Sequence, residues 1–146
     1  MQITRQADYA VRAVLYLSKM SNGGRAPTSK IAHDQHIPPS FLAKIVSQLS
    51  VAGVVQTSRG ARGGVSLSRP PSNITLLEVV EAIDGPITLN ECVTDPNCCV
   101  FCGNCDVQAI WSIAQSRLVD HLASTDFGLL TSEHRIKETE PILQPA

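Results

Sequence analysis

The adjacent prolines Pro38 and Pro39 constrain this chain more than any other feature, because neither ring fits inside a helix. They mark a turn in the stretch HIPPS, between two short segments with helical patterns. The first segment opens near Thr28, a residue type that caps helices, with Pro27 just before it. The second segment, SFLAKIVSQLSVAG, has apolar residues at helical spacing and stops at Gly53. Two helices joined by so short a turn predict a helix-turn-helix.

Further elements flank this pair of helices. The N-terminal stretch TRQADYAVRAVLYLSKM repeats its apolar residues with a helical period, and Asn22-Gly23-Gly24 ends it. After the helix-turn-helix, two β-rich runs, Val54–Thr57 and Val65–Ser68, flank a loop with three glycines and two arginines. This pattern predicts a β-hairpin with a basic tip. Three helices followed by a hairpin predict a winged helix-turn-helix in a chain that is mainly α.

The second half of the chain predicts two more helices, separated by a cysteine-rich loop. NITLLEVVEAIDG is typical of a short helix, and DVQAIWSIAQSRLVDHLAS is typical of a long one. An apolar stripe runs along the long helix and favours packing against a twofold mate, although packing on its own domain would give the same pattern. The stripe consists of Val107, Ile110, Trp111, Ala114, Leu118 and Leu122.

The predicted elements group into four parts. The charged segment that ends in PILQPA is typical of a loose terminus. The parts are a winged helix-turn-helix domain at 1–75, a connecting helix and cysteine-rich cluster-binding loop at 76–105, a dimerisation helix at 106–132, and a flexible tail at 133–146.

The net charge of −1 hides a strong asymmetry between the two halves of the chain. Residues 1–75 hold nine Lys and Arg against two Asp, a balance of +7, whereas residues 76–146 hold three basic residues against eleven acidic ones. A basic half of this kind indicates contact with a polyanion, although surface composition alone also produces such differences.

A helix-turn-helix places the first turn of its second helix against the base edges of the major groove. Ser40 and Lys44 are the polar candidates for these contacts. Ser29 and Lys30, at the start of the preceding helix, suit contacts to DNA phosphates. We therefore expect double-stranded DNA as a partner of this domain.

The hairpin tip adds two further candidates for DNA contact. Arg59 and Arg62 suit a minor groove, where narrow A·T tracts concentrate negative potential. The neighbouring glycines allow the backbone to approach the duplex closely. The alternative is that both arginines are solvated loop charges.

All five cysteines lie within residues 91–105, in the stretch ECVTDPNCCVFCGNC. Buried cysteines that act as small apolar residues scatter through a core, so this clustering indicates chemistry. The N-terminus lacks a signal-peptide pattern, and no run approaches the ~18 apolar residues of a membrane span. We therefore expect a cytoplasmic protein without a membrane partner, where clustered thiols more often bind metal or sense redox state than form structural disulfides.

The chain contains three recognisable stretches: ITRQADYAVRAVLYL, SFLAKIVSQLSVAGVVQTSRGARGGVSL, and ITLLEVVEAIDG followed by cysteines and a Trp-containing helix. Together they resemble the Rrf-two family of bacterial winged-helix transcription factors, which includes IscR-, NsrR- and RirA-like regulators. The resemblance runs from residue 1 to about residue 130. It implies a homodimer that binds palindromic operators and often carries an iron–sulfur cluster near the dimer helix.

The resemblance also implies a set of cluster ligands. Cluster-binding members use three cysteines in this loop, which correspond to Cys92, Cys99 and Cys105. Here the run CVFCGNC has C-x2-C-x2-C spacing, as in ferredoxins, so Cys102 is a further candidate. The NsrR-like pattern takes its fourth ligand from an acidic residue near the start of the first helix of the other subunit, which implies Asp8. The fourth ligand stays open between Asp8, Cys102 and some other residue.

Zinc and a thiol switch are the alternatives to an iron–sulfur cluster, whose nuclearity, [2Fe-2S] or [4Fe-4S], stays open. Four cysteines with C-x2-C spacing also suit tetrahedral zinc, and reversible disulfides within Cys98–Cys105 would act as a switch. Gln108 stands where the IscR-like pattern has a histidine ligand, so that set is in doubt. Cys98 belongs to neither ligand set and is interpreted as a spare thiol.

The resulting hypothesis is a homodimeric DNA-binding regulator, most simply a repressor, that responds through its cluster to redox state, nitric oxide or iron and cluster supply. Loss of the cluster would relax the loop and shift the angle between the two DNA-reading heads. No Ser/His/Asp set, paired carboxylates or phosphate-binding loop indicates an enzyme. A small iron–sulfur electron carrier is a weaker alternative, because the basic first half would be useless to it.

Overall fold

The computed structural model describes residues 1–20 and 23–137, with side chains described up to residue 132. Within this part of the chain the order of elements is that of a mainly α winged helix-turn-helix with added C-terminal helices, as predicted. The elements are α1 (Arg5–Ser18), α2 (Thr28–Asp34), α3 (Pro39–Val51), β1 (Val55–Ser58), β2 (Gly64–Leu67), a 3₁₀ turn (Pro71–Asn73), α4 (Leu76–Asp84), α5 (Glu91–Thr94), α6 (Gln108–Ser124) and α7 (Phe127–Lys137).

Helix α1 lies at the centre of the main core and has a buried face of small side chains. Thr4 caps this helix, its Oγ1 accepting a hydrogen bond from the Ala7 amide at 3.2 Å. Ala7, Ala10 and Val14 are completely buried. Helices α3, α4 and α7 all pack against α1. A movement of any of these helices must therefore be accommodated by α1, because packed interiors deform little.

The turn between α2 and α3 follows the prolines, but α3 begins one residue earlier than the sequence predicts. Pro39 occupies the first position of α3, where its missing N–H removes no helical hydrogen bond. His36 has a φ of 52°, in the left-handed region that reverses the chain. Ile37 follows it, is 2% exposed, and donates its amide to the Ala32 carbonyl at 2.9 Å. This buried residue anchors the turn to α2.

The wing is a two-stranded antiparallel hairpin, with Val55 opposite Leu67, and each strand is within one residue of the predicted range. Ala26, just before α2, forms a bridge with Val65 through two backbone hydrogen bonds of 3.0 and 2.8 Å. A Cβ on Gly64 would lie 2.5 Å from the Ala26 oxygen, so only glycine permits this approach. The bridge fixes the wing to the start of α2.

Helix α7 returns to the winged domain, so two helices replace the single dimerisation helix predicted over 106–132. The Phe127 amide donates to the Ile74 carbonyl at 3.0 Å, and the Leu76 amide donates to the Thr125 carbonyl at 2.8 Å. Phe127 is completely buried in the main core. These long-range contacts accompany a local helix start, because the Asp126 side chain accepts a hydrogen bond from the Leu129 amide at 2.8 Å and caps α7.

The apolar stripe of the predicted long helix divides into two parts. Leu122 is buried and packs with Val80 and Ile87 in a second, smaller core, beside Leu118. The C-terminal part of α6 therefore packs on its own domain. The N-terminal part exposes large apolar side chains, and the described part of the chain does not cover them. The exposed residues are Val107, Ile110, Trp111 and Ile113.

The C-terminal end differs from the predicted flexible tail at 133–146. Helix α7 continues through Lys137, so residues 133–137 are helical. The remainder of that predicted tail lies outside the described residues. Across the described ranges, we find no helix with both the length and the apolar character needed to cross a bilayer.

We expect Gly64→Ala to destabilise the fold more than Gly60→Ala. Both glycines have positive φ, +143° and +98°, so alanine strains the backbone at either position. Only at Gly64 would the new Cβ meet backbone atoms, because Gly60 faces open space. The free energy of unfolding, measured by urea denaturation, should fall by about 1–3 kcal/mol more for Gly64→Ala. Equal losses would show that the contact with Ala26 does not hold the wing.

Candidate DNA surface and thiol-lined cavity

All five cysteines line one cavity of about 300 Å³ between the cysteine-rich loop and the start of α6. Cys92 and Cys102 are half-buried, and the other three are exposed. The sequence predicts the cysteines as site residues but does not predict that Asn90, Glu91 and Trp111 line the cavity. Trp111 is interpreted there as a member of the apolar stripe. The complete wall consists of Asn90, Glu91, Cys92, Cys98, Cys99, Cys102, Cys105, Gln108 and Trp111.

Tight turns direct the cysteines toward this cavity. The Cys98 amide donates to the Asp95 carbonyl at 3.2 Å, and the Cys102 amide donates to the Cys99 carbonyl at 3.0 Å. Gly103 then takes a φ of +92°, which reverses the chain again. A regular helix would distribute these side chains around a cylinder, whereas successive turns bring them to one side.

Two glutamines of α6 hold the loop and the segment before it. The Gln108 side-chain nitrogen Nε2 donates a hydrogen bond to the Cys92 carbonyl at 2.9 Å. The Gln115 side-chain oxygen Oε1 accepts one from the Leu89 backbone amide at 3.0 Å. The two glutamines are seven residues apart, close to two helical turns, so they lie on the same face of α6. Gln108, which replaces a histidine ligand in the resemblance, therefore has a structural contact of its own.

Cys98 lies on the cavity wall, although the sequence leaves it outside both ligand sets. The residue is exposed as a whole, but partial desolvation raises the pKa of its thiol. The neighbouring Cys102 and Cys92 thiols and the Asp95 carboxylate raise this pKa further. Thiolates gathered in this way repel one another, and a bound metal centre would relieve that repulsion.

Zinc and an iron–sulfur cluster are the two metal centres that the thiols of this cavity could hold. Zinc bonds thiolates at about 2.3 Å, so its four sulfurs would lie roughly 4 Å apart. Among the residues described, no three His, Cys, Asp or Glu side chains converge closely enough to hold one metal ion. An iron–sulfur cluster would also be held by cysteine thiolates. The cavity wall offers five thiols as possible ligands for either group.

Asp8 lies on α1, outside this cavity of its own chain. Its carboxylate pairs with Arg12, one turn along the helix, at 3.2 Å, and its side chain is 60% exposed. Arg12 also donates to the Gln35 carbonyl at 3.0 Å, in the turn before α3, and lies over the Tyr9 ring. A single chain therefore brings Cys102, and not Asp8, to the three cysteines implied by the resemblance.

The four residues predicted for DNA contact on the helices are all exposed. Ser29 and Lys30 lie in the first turn of α2, and Ser40 and Lys44 lie in the first two turns of α3. Lys30 is not free in this structure, because its Nζ lies 3.0 Å from the Asp34 carboxylate. A DNA phosphate would have to compete with Asp34 for this ammonium group.

Asp34 collects three donors at its carboxylate. Hydrogen bonds from Lys30, His33 and Tyr16 lower the pKa of Asp34 to about 2. The contact with Asp34 raises the pKa of Tyr16 in return. Asp34 therefore stays ionised at neutral pH and ties α1 to α2 through the Tyr16 hydroxyl, 2.9 Å away.

The wing carries Arg59 and Arg62, both exposed, as predicted. The sequence does not single out Arg25, whose Nη1 donates to the Arg62 carbonyl at 3.1 Å. This contact joins the segment before α2 to the wing tip. A groove of about 420 Å³ runs between the wing and the start of α2, and its walls include Thr28 and Gly60. The structure thus brings the start of α2, predicted to contact DNA phosphates, and the wing to one groove.

The chain matches the model of the Rrf2 family, described as "Iron-dependent Transcriptional regulator", over residues 3–133. It is also 38% identical over 87 residues to Rv1287 of Mycobacterium tuberculosis (strain ATCC 25618 / H37Rv), whose name describes an HTH-type transcriptional regulator. That match covers 60% of this chain and 54% of the relative, so the chain spans about half the length of the curated relative it matches.

Two solved structures share the fold over nearly the whole chain. CymR, the global cysteine regulator of B. subtilis, has a TM-score of 0.77 and 24% identity, covering 91% of this chain and 98% of its own. IscR of T. potens has a TM-score of 0.71 and 19% identity, covering 100% of this chain and 93% of its own. These likenesses confirm the winged-helix architecture that the sequence predicts.

We expect the double variant Arg59→Ala/Arg62→Ala to weaken binding to a random-sequence DNA duplex and to reduce its salt dependence. Each lost phosphate contact lowers the slope of log affinity against log salt by about 0.9. The measurement is a fluorescence-anisotropy titration at several salt concentrations. Arg117→Ala removes an exposed charge on α6 and should leave the slope unchanged. An unchanged slope in the double variant would exclude these arginines from DNA contact.

Proposed function

Because this chain belongs to the Rrf2 family of DNA-binding transcriptional regulators, we propose that it binds operators as a homodimer under the control of an iron–sulfur cluster. The observation that carries the proposal is the cavity that all five cysteines line. Neither the family description nor the fold decides between cluster-based and thiol-based sensing, since the solved relatives include both IscR and the cysteine regulator CymR. The donor set of this loop supports the cluster.

We assign the cluster ligands to Cys92, Cys99, Cys102 and Cys105. These four sulfur donors share one cavity wall, and thiolate is the usual ligand of iron–sulfur clusters. Asp8 is the weaker candidate for the fourth position, because its carboxylate is engaged by Arg12 on another face of the domain. When bound, the cluster would supply a group whose charge and integrity depend on redox state, nitric oxide and iron supply.

The chain's own contacts give a route from the cavity to the DNA-reading helices. Gln108 and Gln115 tie the loop region to α6, and α6 packs on α4. At the far end of α4, Asp84 accepts a hydrogen bond from the Thr4 amide at 3.1 Å, and Thr4 caps α1. Helix α1 packs directly on α3. A rearranged loop would therefore act on α3 through three helices, α6, α4 and α1.

The exposed apolar face at the start of α6 supports the homodimer. Ile110 is 59% exposed and Ile113 is 51% exposed. Apolar side chains grouped in this way on a helix are typical of an interface between subunits. A twofold mate that covers this face would also place the two cavities near the dimer axis, since Trp111 belongs both to the face and to the cavity wall.

The cluster is tested first by anaerobic purification, followed by an absorption spectrum and by iron, sulfide and zinc analysis of the same sample. We expect brown protein with matched amounts of iron and sulfide, because the cavity walls offer four sulfur ligands. Colourless protein with one zinc per chain would contradict the proposal. It would leave a DNA-binding protein with a structural metal.

The fourth ligand is tested by comparing Cys102→Ser with Asp8→Asn. We expect Cys102→Ser to lose most of its bound iron and sulfide, and Asp8→Asn to keep both. Of these two residues, Cys102 lies on the cavity wall of its own chain and Asp8 does not. Cys98→Ser is the matched control, since it removes a neighbouring thiol outside the ligand set. Retention of the cluster by Cys102→Ser together with its loss in Asp8→Asn would transfer the fourth position to the partner subunit.

The dimer is tested by Ile110→Glu, which places a charge in the exposed apolar face of α6. We expect this variant to sediment as a monomer in analytical ultracentrifugation, because burying an unpaired carboxylate is costly. Leu129→Glu is the control, as Leu129 has a similar exposure of 47% but lies on α7. A dimeric Ile110→Glu variant would exclude this face as the interface.

A further inference from the structure

We propose that Cys98 and Cys102 form a reversible disulfide in the cluster-free protein, and that this disulfide prevents the cluster from being rebuilt until it is reduced. The second half of the inference rests on the proposed function, because it assigns Cys102 to the cluster. The first half concerns the loop alone. It gives the thiol that the ligand set leaves over, Cys98, a function of its own.

The turn geometry brings these two residues together. The Cys102 amide donates to the Cys99 carbonyl at 3.0 Å, which folds the chain back so that Cys98 and Cys102 flank one turn. Both side chains line the same cavity. Cys98 is also exposed, so an oxidant reaches it without unfolding of the loop.

A hydroperoxide is the class of oxidant that completes the chemistry. One thiolate of the pair attacks the peroxide, its sulfur becomes a sulfenic acid, and an alcohol or water leaves. The second thiol attacks the sulfenic sulfur, the S–S bond forms, and water leaves. A small dithiol reverses the reaction by exchange, giving up two electrons and two protons and becoming a disulfide itself.

The disulfide and the cluster exclude one another at Cys102. A cysteine binds a metal as its thiolate, and a sulfur in a disulfide is no longer a thiolate. Cys98 is thus an intramolecular competitor for the fourth ligand. After oxidative loss of the cluster, the loop would be held in a form that needs a reductant, and not only iron and sulfide, for recovery.

The cross-link is tested on metal-free protein treated with limited hydrogen peroxide, alkylated, and digested with chymotrypsin. Phe101 lies between the two cysteines and is 67% exposed, so cleavage after it leaves two fragments that only a disulfide joins. We expect a joined pair that dithiothreitol separates, and its loss in both Cys98→Ser and Cys102→Ser. Cys92→Ser and Cys105→Ser should keep it. No joined pair, or one that survives Cys98→Ser, would overturn the inference.

The effect on the cluster is tested by reloading oxidised, metal-free protein anaerobically with iron and sulfide, with and without dithiothreitol. We expect the natural sequence to regain its absorption near 400 nm only with the dithiol, whereas Cys98→Ser regains it in both cases. Equal reloading of the natural sequence without the dithiol would refute the competition. Failure of both proteins to reload under any condition would instead refute the proposed function, while the peptide map still decides the disulfide.

Discussion

The packing of α1 against α4 is the interaction on which the rest of this structure depends. The buried face of α1 is built from small residues such as Ala7 and Ala10, and α4 makes its most extensive contact with this helix. The hydrogen bond from Thr4 to Asp84 joins the start of one helix to the end of the other. The same helix contacts α3, so the DNA-reading helix and the segment leading to the cysteines share one support.

The sequence predicts the elements whose positions depend on the residues within them, such as the turn between α2 and α3. Pro38 and Pro39 mark the helix-turn-helix, as predicted. The wing glycines were expected to let the backbone approach DNA, whereas the missing Cβ of Gly64 lets the wing pass close to the Ala26 carbonyl. The break between α6 and α7 has a local signal that the single helix predicted over 106–132 overlooks, because Asp126 caps α7 by accepting a hydrogen bond from the Leu129 amide at 2.8 Å. What the sequence pattern does not show is the pairing of Phe127 with Ile74, more than fifty positions earlier in the chain.

The candidate site divides in the same way. Clustering and spacing identify the cysteines, since thiols in such density have few structural uses. That Cys98 and Cys102 line the same cavity depends on how successive turns of an irregular loop close, and spacing alone does not determine this. Arg25 was missed because its contact is with the carbonyl of Arg62, a backbone group that any residue would supply. The identity of side chains is enough to predict which chemistry a site can perform. Contacts to backbone groups from distant parts of the chain can be seen only in the structure.

The strength of the contacts around the loop is of the size that the proposed control of DNA binding requires. A typical intramolecular hydrogen bond contributes about 0.5–1.5 kcal/mol to stability. The bonds of Gln108 to the Cys92 carbonyl and of Gln115 to the Leu89 amide are two such contacts, and both involve the segment that the cysteines would reshape. Coupling between linked sites is typically about 1–3 kcal/mol, a change of roughly 5- to 150-fold in affinity. Loss of both glutamine contacts in one state of the loop, and not in the other, would therefore be enough to separate a bound from an unbound operator.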